Sequence, residues 1–281
     1  MNRRLFLFCA AALAVAPAPA AAQRFEPTRF SVEVRGSGPD VILIPGLTAG
    51  REVWRATAAS VPGYRYHLVQ VAGFAGEPAR GNRAGPVVAP LADELVRYIA
   101  DRRLDRPAIV GHSMGGTLAM MVAARRPALA GRIMVVDMLP EPAGLLGGSA
   151  AGWAPLSRTL GSMIATPGGR ALFGAFMGAF SPPNSGNRLS DPDVVGRATH
   201  ELMQMDVTAE LPRIRAPFTI VYASPDPRVR TAIDRQFAAA YAPARGARLV
   251  RIDASGHMVM LDQPARFRAE LLRFLSAERG Q

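Results

Sequence analysis

The sequence predicts an α/β fold in which a mostly parallel β-sheet is covered by helices on both faces. Short apolar runs with the character of strands recur along the chain, and between them lie segments whose apolar residues recur at helical spacing. This alternation is typical of parallel sheets, because each crossover connection lays a helix against one face. A chain of 281 residues with 49% hydrophobic content is long enough to bury a sizeable core around such a sheet.

Seven segments are predicted to be strands. The first, residues 30–34, alternates apolar and polar side chains, as expected where one face is exposed. The second, residues 41–44, is a continuous apolar run, which is typical of a strand buried on both faces. The remaining five cover residues 66–71, 108–110, 133–136, 218–222 and 249–252.

Helices are predicted between these strands, and one stretch interrupts the alternation. The helical patterns cover residues 87–101, 114–124, 231–241 and 265–277. Residues 140–211 contain no clear strand and are rich in Gly, Pro, Met and Phe. We interpret this stretch as a helical cap, or lid, inserted into a core formed by residues 23–139 and 212–281.

The first 22 residues have the pattern of a cleaved signal peptide. Asn2, Arg3 and Arg4 form a short positive segment, residues 5–15 are apolar, and residues 20–22 offer a small-residue cleavage site. The apolar run is too short for a stable membrane anchor, so we expect a periplasmic or secreted protein. The paired arginines leave open whether export follows the general or the twin-arginine route. Cleavage would also remove Cys9, the only cysteine.

Composition and motif content argue against several classes of protein. The net charge of +11 comes from arginines in a chain without lysine, and apart from pairs at residues 3–4, 102–103 and 125–126 these arginines are scattered singly. The sequence contains no basic stripe of the kind that binds nucleic acid. Four widely separated histidines predict no metal site. Neither a P-loop nor a G-x-G-x-x-G segment is present, so the sequence predicts no nucleotide cofactor, and none of another kind.

The strongest motif is Gly-His-Ser-Met-Gly at residues 111–115, a G-x-S-x-G pattern. A serine between glycines is often only a turn residue, but this one follows a predicted buried strand and precedes a predicted helix. A sharp strand-to-helix turn requires small residues on both sides and lifts the Ser113 hydroxyl to the carboxyl edge of the sheet. The amides of the following helix favour negative charge there. Ser113 is therefore a candidate nucleophile.

With this motif, nearly the whole chain after the leader resembles the α/β-hydrolase family. Residues 45–47 stand where the family carries its oxyanion loop, residues 224–226 match the position of the catalytic acid, and residues 255–257 match that of the catalytic histidine. The resemblance implies a Ser113–Asp226–His257 triad in the chain order of this fold. Asp137, at the end of the strand 133–136, is the alternative acid.

The resemblance also implies how the oxyanion of the reaction is held. The backbone N–H groups of Leu47 and Met114 would donate to it. Pro45 replaces the family's histidine before Gly46, which leaves those backbone donors in place. A serine at position 113 argues against the dehalogenase and epoxide-hydrolase branches, which use aspartate there.

These expectations point to a serine hydrolase, and the favoured hypothesis is hydrolysis of carboxylic esters through an acyl-Ser113 intermediate. Hydrolysis of amide, peptide or carbon–carbon bonds on the same triad is the alternative, and a non-catalytic binding protein of this fold is the rival from another class. We expect Phe173, Phe176 and Met177 of the cap to bind the apolar acyl group of a small-molecule substrate, together with Met163 and Phe180. The alternative is that these side chains form only the core of the insertion.

Overall fold

The computed structural model of the chain describes residues 25–146, residue 166 and residues 189–276. The predicted leader lies outside the described residues. So does most of the predicted cap, including all five side chains proposed to bind an acyl group. The described residues comprise most of the predicted core and the two ends of the predicted insertion.

Within the described residues, all seven predicted strands are confirmed, with ends that differ by no more than two residues. They are β1 (Phe30–Gly36), β2 (Asp40–Ile44), β3 (Arg65–Val71), β4 (Ala108–His112), β5 (Arg132–Val136), β6 (Phe218–Ser224) and β7 (Arg248–Asp253). They form one sheet in the order β1-β3-β2-β4-β5-β6-β7. β1 pairs antiparallel with β3, and every other pair is parallel. The predicted mostly parallel sheet is confirmed.

The described helices cover both faces of this sheet. They are α1 (Arg55–Ser60), α2 (Val88–Asp101), α3 (Met114–Arg125), α4 (Pro192–Gln204), α5 (Arg230–Ala240), α6 (Val259–Asp262) and α7 (Pro264–Ser276). The four predicted helices correspond to α2, α3, α5 and α7. α1 and α6 were not predicted, because six and four residues are too short to display a helical period. Among the described residues, no helix combines the length and apolar character needed to cross a bilayer.

The hydrophobic core has two parts, one on each face of the sheet. Side chains of α2, α3, α4 and α5 pack against one face. Those of α1, α6 and α7 pack against the other face with Trp54, which is fully buried. β4 lies in the middle of the sheet, so both faces of the strand that leads to Ser113 are covered. This position makes the carboxyl end of β4 a rigid support for a functional side chain.

One end of the predicted insertion is fixed to the core. Asp191 caps α4 by accepting hydrogen bonds from the N–H groups of Asp193 and Val194, and Pro192 occupies the first turn. The Asp191 N–H donates to the carbonyl of Gly73, 2.7 Å away, in the loop after β3. Asp191 therefore lies at the carboxyl edge of the sheet.

Candidate active site

Ser113 lies in a strained turn between β4 and α3. Its backbone has φ 52° and ψ −124°, a conformation that a residue with a side chain rarely adopts and that costs about 1–3 kcal/mol. The Ser113 N–H donates to the Val136 carbonyl at 3.0 Å, and the Ser113 carbonyl accepts from the Gly116 N–H at 2.7 Å. The neighbouring strand and the first turn of α3 thus hold the strained residue in place.

The two glycines of the motif are required by close backbone contacts. A Cβ atom on Gly111 would stand 1.9 Å from the carbonyl oxygen of Gly115, and one on Gly115 would stand 2.3 Å from that of Ile44. Both distances are far below van der Waals contact, and in both cases the obstacle is backbone. The G-x-S-x-G spacing is therefore a steric requirement of this turn.

The loop after β2 packs directly against the serine turn. A Cβ atom on Gly46 would lie 3.0 Å from Cβ of Ser113 and 2.9 Å from Nδ1 of His112. Leu47 follows Gly46, and Met114 is the first residue of α3. The structure brings together the two segments that carry the predicted oxyanion donors, and the donor role of Leu47 and Met114 stays a prediction.

His257 lies in the loop between β7 and α6 and is paired with Asp137. Its Nδ1 is 2.7 Å from Oδ2 of Asp137, and 46% of the His257 side chain is exposed. The other carboxylate oxygen of Asp137 accepts from the N–H of Ala223 at 2.8 Å. Asp137 directly follows β5, has φ 50°, and donates its own N–H to the Val221 carbonyl at 2.7 Å. Its backbone and its carboxylate are both fixed by β6.

Asp226, the predicted acid, is paired with Arg228, whereas His257 is paired with Asp137; the prediction of Asp226 as the partner of His257 is therefore wrong. Both Asp226 carboxylate oxygens lie 3.0 Å from Nε of Arg228. These side-chain hydrogen bonds lower the pKa of the Asp226 carboxyl from its usual range. Since Nδ1 of His257 donates to Asp137, Asp226 does not orient the histidine. Asp137, the alternative acid, has the position that the sequence reasoning gave to Asp226.

His112 is the residue of this site that sequence reasoning missed. Its ring nitrogen Nε2 lies 2.9 Å from the carbonyl oxygen of His257, and the two ring centroids are 4.6 Å apart. The motif shows a histidine beside the serine, but nothing in the sequence indicates that its ring reaches a loop 145 residues further along the chain.

The remaining two histidines lie away from this cluster. His67 is buried in β3, between Asp40 and the Tyr98 hydroxyl, each 2.8 Å from one of its ring nitrogens. His200 is on α4, where Nε2 is 3.0 Å from Nε2 of Gln204. Within the part of the chain that the structure describes, no three His, Cys, Asp or Glu side chains converge as a metal site would require.

Comparison with known proteins identifies the family. The sequence model of the alpha/beta hydrolase family matches residues 41–270, which include the serine turn, Asp137 and His257. The chain is an α/β hydrolase.

Known relatives of this α/β hydrolase include proteins named as esterases. A pimeloyl-[acyl-carrier protein] methyl ester esterase from Aromatoleum aromaticum is 25% identical over 80% of this chain and 94% of its own length. A thermophilic esterase from Thermogutta terrifontis superimposes with a TM-score of 0.71 at 19% identity, covering 91% of this chain and 99% of that chain. The enol-lactonase from Burkholderia xenovorans gives 0.64 at 21% identity, covering 88% and 96%. At these identities the two structures establish the likeness of fold.

Proposed function

We propose that this α/β hydrolase cleaves carboxylic esters through an acyl-Ser113 intermediate, with His257 as general base and Asp137 as its orienting carboxylate. The observation that carries the proposal is the 2.7 Å hydrogen bond between His257 and Asp137, formed where the His257 ring packs on the residue that precedes Ser113. An imidazole whose Nδ1 is held by a carboxylate has its Nε2 left to take a proton.

Each residue has a defined task in this reaction. Ser113 is a weak nucleophile at neutral pH, so Nε2 of His257 accepts its proton as Oγ attacks the ester carbonyl. Asp137 keeps the proton on Nδ1 before the attack and stabilises the imidazolium that forms. The N–H groups of Leu47 and Met114 donate to the oxyanion. His257 then protonates the leaving alcohol. In the second half of the reaction His257 takes a proton from a water that attacks the acyl-Ser113 carbonyl, and returns it to Ser113 Oγ as the carboxylic acid leaves.

The choice of an ester rests on the relatives. The Aromatoleum aromaticum protein, which this chain matches over most of both lengths, is named for a methyl ester, and the solved neighbours include an esterase and a lactonase, which opens a cyclic ester. No observation in the described residues favours an amide or a carbon–carbon bond.

The test combines a fluorophosphonate probe, which reacts with activated serines, with matched p-nitrophenyl ester and p-nitroanilide substrates. We expect the purified wild type to be labelled and to cleave the ester faster than the anilide. Ser113→Ala should abolish labelling and lower kcat roughly a millionfold. Ser37→Ala, a change at an exposed turn, is the matched control and should behave as wild type.

Three outcomes would contradict the proposal. A folded wild type without an adduct would favour the binding protein. Turnover by Ser113→Ala at the wild-type rate would exclude Ser113 as the nucleophile. Faster cleavage of the anilide would make the protein an amidase.

We also propose that the protein is exported to the periplasm or beyond after cleavage of residues 1–22. The basic, apolar and small-residue segments of the leader support this. N-terminal sequencing of the protein from a periplasmic fraction should give a start near Gln23. Recovery there of a chain that begins at Met1 would contradict cleavage.

A further inference from the structure

We propose that His112 is a positioning residue that fixes the loop of the catalytic histidine to the serine turn. The inference rests on the proposed function, since it assigns to His112 a task in the same reaction. It starts from two contacts: the hydrogen bond from His112 Nε2 to the His257 carbonyl oxygen, and the packing of the two rings with 4.6 Å between centroids and 50° between planes.

The hydrogen bond determines the tautomer of His112. A carbonyl oxygen can only accept, so Nε2 of His112 carries the hydrogen and Nδ1 presents a lone pair. That Nδ1 is buried and has no hydrogen-bond partner. His112 is only 2% exposed, and burial, aided by repulsion from His257, lowers the pKa of its imidazole to about 3. His112 therefore remains neutral at working pH and adds no positive charge beside the imidazolium that His257 must become.

Asp137 and His112 constrain different parts of His257. The bond from Nδ1 to Asp137 fixes the plane of the imidazole. The bond from His112 holds the backbone carbonyl of the same residue, and so anchors the loop at His257. Since 46% of the His257 side chain faces solvent, packing alone leaves this side chain weakly held.

The position of His112 also links the loop to the other parts of the site. His112 precedes Ser113 in the chain, and its Nδ1 faces Gly46, where a Cβ atom would approach to 2.9 Å. The His112 ring thus lies against the serine turn, the loop after β2 and the β7–α6 loop that carries His257. A change in its size or hydrogen bonding alters the separation of groups that must meet within a fraction of an ångström.

The alternative is that the His112 side chain only fills space beneath the loop. Three variants distinguish a positioning role from a space-filling one. His112→Phe keeps a buried ring and loses the donor. His112→Gln keeps a neutral amide N–H at about the reach of Nε2, and His112→Asn carries the same group one methylene short of it.

We expect His112→Phe and His112→Asn to lower kcat for a p-nitrophenyl ester by about 10- to 100-fold, with KM within about twofold. His112→Gln should recover most of the lost kcat. Thermal unfolding is measured for each variant, and if His112→Phe fails to fold, the comparison of Gln with Asn decides alone. The rate of fluorophosphonate labelling should follow kcat.

A wild-type kcat in folded His112→Phe would overturn the inference. So would a kcat of His112→Gln no higher than that of His112→Asn, or variants that change only KM. These failures leave the proposed function standing, provided that the wild type is labelled and Ser113→Ala is not. A wild type that takes no label would instead remove the function on which the inference rests.

Discussion

At the scale of single residues, the site depends on how Asp137 is held. Its carboxylate accepts one N–H from Ala223 and one from His257, so both oxygens are engaged in fixed directions. The left-handed backbone of Asp137 is stabilised by the bond to Val221. A carboxylate with this support orients the imidazole at little further entropic cost.

The first prediction compares the two candidate acids. Asp137→Asn preserves shape but removes the charge that stabilises the imidazolium, and should lower kcat by about 10³- to 10⁴-fold. Asp226→Asn is the matched control, and breaks only the contact to Arg228, whose side chain is 88% exposed, so activity should be nearly unchanged. Steady-state ester hydrolysis checks both. The reverse order of effects would return the acid to the loop after β6.

At the scale of elements, the strand–turn–helix unit of β4, Ser113 and α3 is built on backbone contacts. Gly111 approaches the Gly115 carbonyl so closely that any Cβ must displace main chain. All residues of α3 from Met114 to Ala124 are buried, so the helix cannot move aside without disturbing the core on that face.

The second prediction is that Gly111→Ala lowers the free energy of unfolding by about 1–3 kcal/mol or more and abolishes fluorophosphonate labelling. The control is Gly85→Ala, where φ is +72° and nothing lies within 4 Å of the added Cβ. That change should cost only the strain of a left-handed alanine, about 1–2 kcal/mol, with full labelling. Urea unfolding compares the two. A Gly111→Ala variant with the wild-type free energy of unfolding and full labelling would show that the turn tolerates a side chain.

The elements also show how far the sequence determines the structure. Buried strands such as 41–44 and 218–222 could be predicted because apolar runs between turn residues have few other uses. The serine turn could be predicted because its steric demands are local. Which carboxylate pairs with His257 could not be decided, because Asp137 and Asp226 both follow the end of a parallel strand, and only the path of the β7–α6 loop brings His257 to Asp137. The contact of His112 could not be predicted for the same reason, since its partner is the backbone carbonyl of a residue distant in the sequence.

At the scale of the whole molecule, the buried histidines make stability depend on pH. The pKa of His112 is about 3 in the folded protein, and burial also lowers the pKa of His67. At His112, the unfolded chain, with a histidine pKa near 6.5, binds more protons than the folded one between about pH 3 and 6.5, and the shift at His67 has the same direction. Stability contributed by these groups is therefore complete above pH 6.5 and is lost as the pH falls.

The third prediction follows from this linkage. Lowering the pH from 7 to 4.5 should remove about 2–3 kcal/mol of unfolding free energy through His112 alone. The unfolding free energy of His112→Gln, whose amide cannot titrate, should fall by about 2–3 kcal/mol less over the same pH range. Urea unfolding of both proteins at the two pH values measures the difference. Parallel losses in wild type and variant would contradict a neutral, buried His112.

The fourth prediction concerns the cap. If Phe173, Phe176 and Met177 bind the acyl group, each buried methylene adds up to about 0.8 kcal/mol, and kcat/KM should rise from p-nitrophenyl acetate to butyrate or hexanoate. Phe176→Ala should flatten the series. A flat or falling series in the wild type, with Phe176→Ala lowering only the Tm, would assign these side chains to the core of the insertion.

The placement of the proposed acid at the end of β5 leaves the neighbouring segment free for protein engineering. β6 lies between β5 and β7, yet it supports Asp137 only through the amide of Ala223 and the carbonyl of Val221. No side chain in the loop 225–229 has a task in the proposed reaction. In a chain with Cys9 replaced, Arg228→Cys would supply the only thiol, one strand away from the His257–Asp137 pair. A fluorophore attached there could follow substrate arrival in real time while the reacting groups stay intact.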